Sequence, residues 1–375
     1  MPALQSALVI GGGFSGMSAA IALRSIGVEV DLVEIDPAWR SYGAGISLSG
    51  ATLRAFSMLG VLGDVAAQGY CSDGCDVCAP DGRLLTQLPT PRLAGPGFPG
   101  GAGIMRPVLA GIMADATRAS GTRVRLGCTF TRIAPRDSDL EVAFDDGSAG
   151  HYQLVIGADG LNSSVRAAVL PDAPRPKYTG QGVWRAVVPR PADTVRTAMF
   201  MGQRHKAGVN PVSQQQMYLF VTEDRVTNEY LAADQLLPQL SELLLEFSAP
   251  VIAEVRAGLG AHSQIVYRPL EGLLLPQPWG SGRVLLIGDA VHATTPHLAS
   301  GAGLGIEDGL VLADEIKSGA SIDDALERFQ QRRWERCRLV VENSLRLGEL
   351  ERTSGSKQEH ADLMRHSMMA LAQPI

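Results

Sequence analysis

Gly11, Gly13 and Gly16 are spaced as GxGxxG around Phe14 and Ser15, directly after the apolar run Ala7-Leu8-Val9-Ile10. Glycines so placed let a strand turn tightly into a helix, here expected to begin near Met17. They bring backbone N–H groups and a helix N-terminus up to a pyrophosphate, and the last of them allows close helix–strand packing. Glu34 closes the next apolar strand, Val28 to Val33, about 20 residues on, where a carboxylate accepts a hydrogen bond from a ribose 2′-OH. The combination prescribes an adenosine ribose without a 2′-phosphate. Two later stretches repeat the theme: Val155 to Gly160 is an apolar strand ending in Asp159-Gly160, and Arg283 to Ala290 is another ending in Gly288-Asp289. Beyond the latter, Ala299 to Gly303 opens a helix, and Gly301, Ala302 and Gly303 expose N–H donors that suit an anionic ring edge or a phosphate.

These residues need a scaffold that gathers strand ends at one edge. Apolar strands ending in Asp-Gly or glycine turns, each followed by a helix, read as a doubly wound parallel sheet, in which ligands collect at the carboxyl edge. Ser163, Ser164 and Arg166 read as the start of such a helix, and Ser321-Ile322-Asp323-Asp324 as a cap opening another that runs toward Arg346. The segments Gly182 to Pro189, Thr197 to Met201, Lys206 to Val212 and Gln216 to Thr222 read instead as short antiparallel strands. Gly95 to Gly103 reads as a loop.

With 375 residues, 45% of them hydrophobic, the chain can bury a substantial core. A net charge of −6 argues against a nucleic-acid partner. Arg332, Arg333, Arg336 and Arg338 are interspersed with Glu327, Glu335 and Glu342 and read as a solvated helix face. No apolar run reaches the roughly 20 residues of a membrane span, and a soluble cytoplasmic protein, monomer or homodimer, is expected. Cys71, Cys75 and Cys78 have the C-x3-C-x2-C spacing of a cluster-binding loop, but they sit between stretches that read as strands. They are therefore taken as small packing residues and not as metal ligands.

The GxGxxG turn with Glu34, Gly157-Ala158-Asp159-Gly160 in mid-chain, and Gly288-Asp289-Ala290 followed by Pro296 and Gly301 together resemble the single-component, FAD-dependent aromatic hydroxylases of the para-hydroxybenzoate hydroxylase type, from about residue 5 to about 350. The resemblance implies a Rossmann-like FAD-binding domain from residues 1–72, 105–173 and 271–318, interleaved with a smaller antiparallel-sheet substrate domain from 73–104 and 174–270, with C-terminal helices over 319–375. It implies that Arg40 and Arg106 contact FAD, a role suited to the planar guanidinium fork. It also implies a reaction in which NADH or NADPH, bound transiently, reduces FAD, O2 adds to give a C4a-hydroperoxide, and the distal oxygen passes to a phenolic or N-heteroaromatic acid. A same-fold halogenase, epoxidase or reductase, or a flavin-binding protein without turnover, is the alternative; the nearest counterpart of a halogenase tryptophan motif is Trp184-Arg185.

For the substrate, strand alternation puts Lys206, Gly208 and Asn210 on one face and His205, Ala207 and Val209 on the other. The resemblance assigns the first face to the substrate, so Lys206 and Asn210 are candidate contacts, with Tyr218 on the next strand and Ser47 near the flavin edge. His297, after Pro296, is expected to face the substrate, where an imidazole titrating near neutrality could orient or deprotonate a hydroxyl. Where many relatives carry Gly-Gln-Gly, this chain has Ala299-Ser300-Gly301.

Overall fold

The computed structural model describes residues 4–41, 43–319, 321–353 and 355–375. Its first sheet is the doubly wound one. Strands Val284–Leu286, Leu154–Gly157, Ser6–Ile10, Glu29–Glu34 and Arg123–Leu126 lie side by side in that order, all parallel, with Gly280–Ser281 added antiparallel at one edge. The strands that carry Asp159, Asp289, the glycine turn and Glu34 are therefore neighbours, and their carboxyl ends meet.

The first helix, Phe14–Ser25, starts three residues before Met17, with Gly13 as its N-cap. It is buried nearly all round because it lies between this sheet and the helix Gly301–Ser318. Glycines set that closeness. A Cβ on Gly309 would stand 2.5 Å from the backbone nitrogen of Ala19, and one on Gly288 would stand 2.3 Å from Ser15 Oγ.

The second large sheet has seven strands, ordered Ile265–Gly272, Lys177–Pro189, Gln216–Asp224, Lys206–Pro211, Thr197–Met201, Cys75–Cys78 and Leu84–Leu88. All neighbours are antiparallel except Thr197–Phe200, which runs parallel to Cys75–Cys78, so the sheet is mixed. One face carries Trp184, Ala186, Ala207, Val209, Leu219 and Val221 into a core closed by the helices Ala233–Leu243 and Pro250–Gly258. The other face is turned toward the first sheet.

Between the two lies a small sheet of Gly45–Ser49, Gly101–Met105 and Tyr70–Ser72. Gly101 to Gly103 thus belong to a strand and not to a loop, because they pair with Ser49 to Ser47 on one side and Ser72 to Tyr70 on the other. Gly45 and Gly103 let it dock on the seven-stranded sheet. Cβ atoms there would stand 2.1 Å from the Tyr218 ring and 2.1 Å from the Pro211 carbonyl oxygen.

Two helices, Ile322–Arg352 and Lys357–Ala372, close the C-terminus. Ser321 caps the first as its sequence indicates, accepting from the Asp324 N–H at 3.2 Å. The arginine run on that helix is not a solvated face throughout. Arg333 is buried and Arg336 nearly so, while Arg332 and Arg338 are more exposed, as a helical period of 3.6 dictates when Cys337 and Val340 face the core.

Candidate active site

A cavity of about 1170 Å³ runs from the glycine turn to the inner face of the seven-stranded sheet. That exceeds the roughly 300–1,000 Å³ of an ordinary small-molecule pocket, and the walls at its two ends are built differently.

At the nucleotide end, backbone makes the wall. Gly11 has φ +108°, and a Cβ there would meet the Ala158 carbonyl oxygen at 2.5 Å; one on Gly16 would meet the Gly11 carbonyl oxygen at 2.0 Å. A Cβ on Gly13 would meet nothing within 4 Å, because that position opens into the cavity, and no side chain caps the helix there. Glu34 accepts from Gly12 N–H at 2.7 Å through Oε2 and from Asp36 N–H at 2.8 Å through Oε1, so it shapes the turn as well as lining the cavity. Asp159 likewise lines the cavity while accepting from Ser163 Oγ, Ser164 N–H and Val165 N–H at 2.5, 2.7 and 3.0 Å. Arg106 stands over the Phe14 ring, 5.3 Å from its centroid, near Asp289. Asp289 faces the cavity, and desolvation by the surrounding protein raises its carboxyl above the ordinary range against the pull of His292 and Arg106. The helix Gly301–Ser318 also presents an N-terminus without a side-chain cap to the cavity. Two uncapped helix N-termini, a guanidinium and a crowded glycine turn are donors and clearances that fit the dianionic pyrophosphate and the ring edge of FAD. Arg40 is not brought here: its guanidinium engages Asp36 at 3.0 and 3.1 Å, and the residue is largely exposed.

Beneath this end lies a buried ionic cluster that the sequence reading missed. Asp308 accepts from Gly288 N–H at 2.9 Å and lies 2.7 Å from His292 Nε2, both through Oδ2, and accepts from Arg333 Nε at 2.8 Å through Oδ1. Arg333 and Arg336 both donate to Glu307. His292 is thus a structural neighbour of the Gly288-Asp289 turn, joined to it through Asp308. The cluster holds in place a turn whose N-cap, Gly288, sits at φ +63°.

At the ring end, side chains make the wall. Alternation places Val183, Arg185, Tyr218, Phe220, Thr222, Lys206, Asn210, Thr197 and Met199 on the cavity face, as the parity of Lys206 and Asn210 predicts. Asn210 accepts from Thr197 Oγ1 at 2.9 Å and donates to Ser47 Oγ at 2.7 Å, and Ser47 Oγ lies 2.6 Å from Tyr218 Oη. In this chain only one of the two hydroxyls, Ser47 or Tyr218, donates to the other, which leaves one O–H proton for a ligand. His205, of opposite parity, points away and contacts Glu246.

Lys206 reaches the cavity wall already paired, donating to Glu351 Oε1 at 2.6 Å. His297 is also at the wall, with Nδ1 2.8 Å from Thr295 Oγ1 and Nε2 3.4 Å from Glu351 Oε2. Burial, acting against the pull of the Glu351 carboxylate, lowers its pKa and so favours the neutral imidazole. Arg185, half-buried at the cavity wall with Tyr218 and Arg106 near it, has its pKa lowered by desolvation. Its signal in the sequence was a lone cation inside the otherwise apolar Gly182–Pro189.

The three neighbouring cysteines do not converge. Cys71 lies on the small sheet, and Cys75 and Cys78 lie on opposite faces of one strand of the large one. Burial, with Asp76 beside it, pushes the Cys75 thiol up to about 12.

A Rossmann-like sheet with this turn, joined to a ring-sized pocket on a second sheet, defines a class: the flavin-dependent monooxygenases. The sequence itself matches the FAD binding domain family over residues 5–344, and the chain belongs to that family. It is similar to the aurachin C monooxygenase/isomerase of Stigmatella aurantiaca, 31% identical over 352 residues covering 92% of this chain and 88% of that one. It is also similar to the 2-heptyl-3-hydroxy-4(1H)-quinolone synthase of Pseudomonas aeruginosa, 30% identical over 352 residues, with 92% and 89% covered. Among solved structures it resembles HpxO of Klebsiella pneumoniae complexed with FAD and uric acid, with a TM-score of 0.83, 25% identity, and 99% of this chain and 93% of that one covered. The chain is an FAD-dependent NAD(P)H monooxygenase, an oxidoreductase of the aromatic hydroxylase type. No helix among the described residues is long and apolar enough to cross a membrane.

Proposed function

We propose that this monooxygenase hydroxylates a small phenolic or N-heteroaromatic ring, a weak O–H or N–H acid, bound against the Tyr218–Asn210 face of the seven-stranded sheet. The observation that carries the reading is the hydrogen-bonded chain Thr197–Asn210–Ser47–Tyr218. It ends in a hydroxyl donor at the junction of the cavity's two ends, within a wall that includes the apolar Met199, Phe220 and Val183. Gly11, Gly13, Phe14, Ser15 and Gly16 would hold the FAD pyrophosphate, Glu34 the adenosine ribose, Arg106, Asp159 and Asp289 the region between, and Gly301, Ala302 and Gly303 the ring edge. When bound, FAD supplies reduction by NADH or NADPH and activation of O2. The chain's own contribution is to orient the acceptor ring through Asn210, Ser47 and Tyr218, to exclude water with the walls around Pro296 and Phe220, and to hold His297 neutral beside the ring. Five free thiols suit a reducing compartment, so we place the enzyme in the cytoplasm, as a monomer or homodimer.

Screening hydroxybenzoates, hydroxypyridines, quinolones and purine-like rings for accelerated NAD(P)H oxidation tests the reading. A true substrate should yield a hydroxylated product with one O2 consumed per turnover. If no aromatic ring accelerates oxidation while an alkene or terpenoid is turned over, the proposed substrate class is wrong.

A further inference from the structure

The ring end of the cavity has a cationic flank and an uncharged one. Arg268, Arg185 and Lys206 reach it from the strands Ile265–Gly272, Lys177–Pro189 and Lys206–Pro211, the first two without a carboxylate partner among the described residues. Across the sheet, Thr197–Met201, Cys75–Cys78 and Leu84–Leu88 lend it no charged side chain. One cross-strand row shows the change of character: Tyr218 pairs with Asn210, Asn210 bonds Thr197, Thr197 pairs with Cys75, and Cys75 pairs with Leu88. Three hydrogen-bonding side chains are thus followed by a thiol and a leucine. The thiol behaves as a small apolar group, since burial, with Asp76 beside it, keeps it protonated at neutral pH.

Beyond Leu88 the wall continues through Leu93, which lies where the helix Gly50–Met58 begins; a Cβ on Gly50 would stand 3.4 Å from its Cγ. Against that helix packs the last one, Lys357–Ala372, which turns Met364, Met368 and Leu371 to the cavity at the i, i+4, i+7 spacing of one helical face. Arg54 and Arg336 hold it there by donating to the carbonyl oxygens of Ala372 and Leu371 at 3.1 and 2.9 Å. Of the described residues that 48–102 and 357–375 contribute to the cavity, none is charged, and the Arg92–Asp73 ion pair of this region is exposed and does not line it. Met199, Leu88 and Met368 are each half-buried at this wall, and among the described residues they join none of the protein's own hydrophobic clusters. Their apolar surface is left for whatever fills the cavity.

We propose that the substrate ring carries an apolar chain of several carbons, which runs from the Asn210–Thr197 row past Cys75 to Leu88, Leu93 and Met368, while the ring's polar group stays toward Tyr218 and the cationic flank. The inference rests on the ring-pocket reading above and names the substituent which that reading leaves open. A charged group on the uncharged flank would give up its hydration to a wall that offers no counterion. A hydrocarbon chain gains there, by about fourfold in affinity for each methylene fully buried. Met199, Met364 and Met368 suit a flexible chain in particular, because an unbranched thioether adapts its shape to what it packs against.

The test titrates holoenzyme with 4-ethylphenol and with 4-hexylphenol and reads the perturbation of the flavin spectrum. The unsubstituted protein should bind the hexyl compound at least about tenfold more tightly, even if its four extra methylenes are only partly buried. L88Q/M368Q, polar on both sides of the chain's path, should shrink that ratio to below about threefold, and M368Q alone, the milder variant, should lower it at least about threefold. M369Q, whose side chain is 64% exposed on the next position of the same helix, should keep the parent ratio. A parent ratio within about twofold, which is read without any variant having to fold, would overturn the proposal, since full burial of four methylenes predicts far more. So would a ratio that survives intact in M368Q and L88Q/M368Q, or one that M369Q lowers equally. If neither phenol perturbs the flavin in any of the proteins, the ring-pocket reading fails and takes the inference with it; binding of both phenols with equal affinity sinks the inference alone.

Discussion

The two ends of the cavity reach specificity by opposite means. At the nucleotide end the ligand-facing surface is largely main chain, created where side chains are missing at Gly11, Gly13 and Gly16 and stiffened from below by Asp308, Arg333 and His292. At the ring end, the surface is a face of side chains drawn from the seven-stranded sheet, with the small sheet supplying Ser47. Main-chain surfaces tolerate almost no change but demand little from neighbouring side chains, so one glycine pattern suits one cofactor. Side-chain surfaces can be altered one residue at a time, which is how a shared cofactor site can serve different rings.

If that contrast holds, the largest single effect should come from beneath the nucleotide end and not from its lining. Asp308→Asn leaves Arg333 and His292 facing a neutral amide in a fully buried place. Breaking a buried ion pair in this way typically costs about 3–5 kcal/mol, and the Gly288-Asp289 turn should loosen with it. The checks are thermal unfolding and flavin retention on gel filtration, and retention of both at the parent level would refute the supporting role. The effect has a pH signature. Burial opposes ionisation of Asp308, but His292 and Arg333 lower its carboxyl from 3.8 to about 2, so its contribution is complete above pH 3.8 and is lost as the pH falls through the folded-state value. Cys337 and Asp308 overcome burial to raise the His292 imidazole well above 6.5, so its contribution is complete below pH 6.5 and is lost as the pH rises past the folded-state value. The stability gap between parent and variant should therefore be widest from about pH 4 to 6.5.

A smaller but cleaner effect is expected from Gly16→Ala. The added Cβ would fall 2.0 Å from the Gly11 carbonyl oxygen, a backbone atom that cannot rotate away. Overpacking of this kind costs about 1–3 kcal/mol, and because it distorts the phosphate-facing turn, FAD affinity should drop at least about tenfold. Apoprotein that regains flavin as readily as the parent would count against the main-chain account of this end.

The same contrast explains what could be read from the sequence. GxGxxG, Glu34, Asp159 and Asp289 are local patterns in which a turn and its strand are contiguous, so the doubly wound sheet and its ligand edge were legible directly. The face of Lys206 and Asn210 was legible too, since alternation within one strand fixes parity. Their partners were not. That Lys206 meets Glu351 depends on the packing of a helix 145 residues away, and that Arg333 is buried whereas Arg332 is not depends on which side of a 31-residue helix meets the core. Arg40 shows the converse: a residue assigned from family position alone, with a local acidic neighbour, Asp36, four residues earlier that claims its guanidinium.

The smallest predicted effect lies on the ring face and bears most directly on the contrast. Tyr218→Phe keeps the ring that packs on Gly45 and removes only the hydroxyl 2.6 Å from Ser47 Oγ. Ser47 still accepts from Asn210 and turns its own proton toward the ligand, so the hydrogen-bonded chain shortens by one member and does not collapse. Loss of one such bond is worth about 0.5–1.5 kcal/mol, which corresponds to a rise of about two- to tenfold in the KM of the ring substrate. Flavin content and thermal stability should stay near the parent values, because no main-chain surface is touched. Steady-state kinetics beside a flavin-to-protein absorbance ratio separates the outcomes. Should Tyr218→Phe shed FAD as Gly16→Ala is expected to, the two ends are one cooperative surface, and the division between a main-chain site and a side-chain site fails.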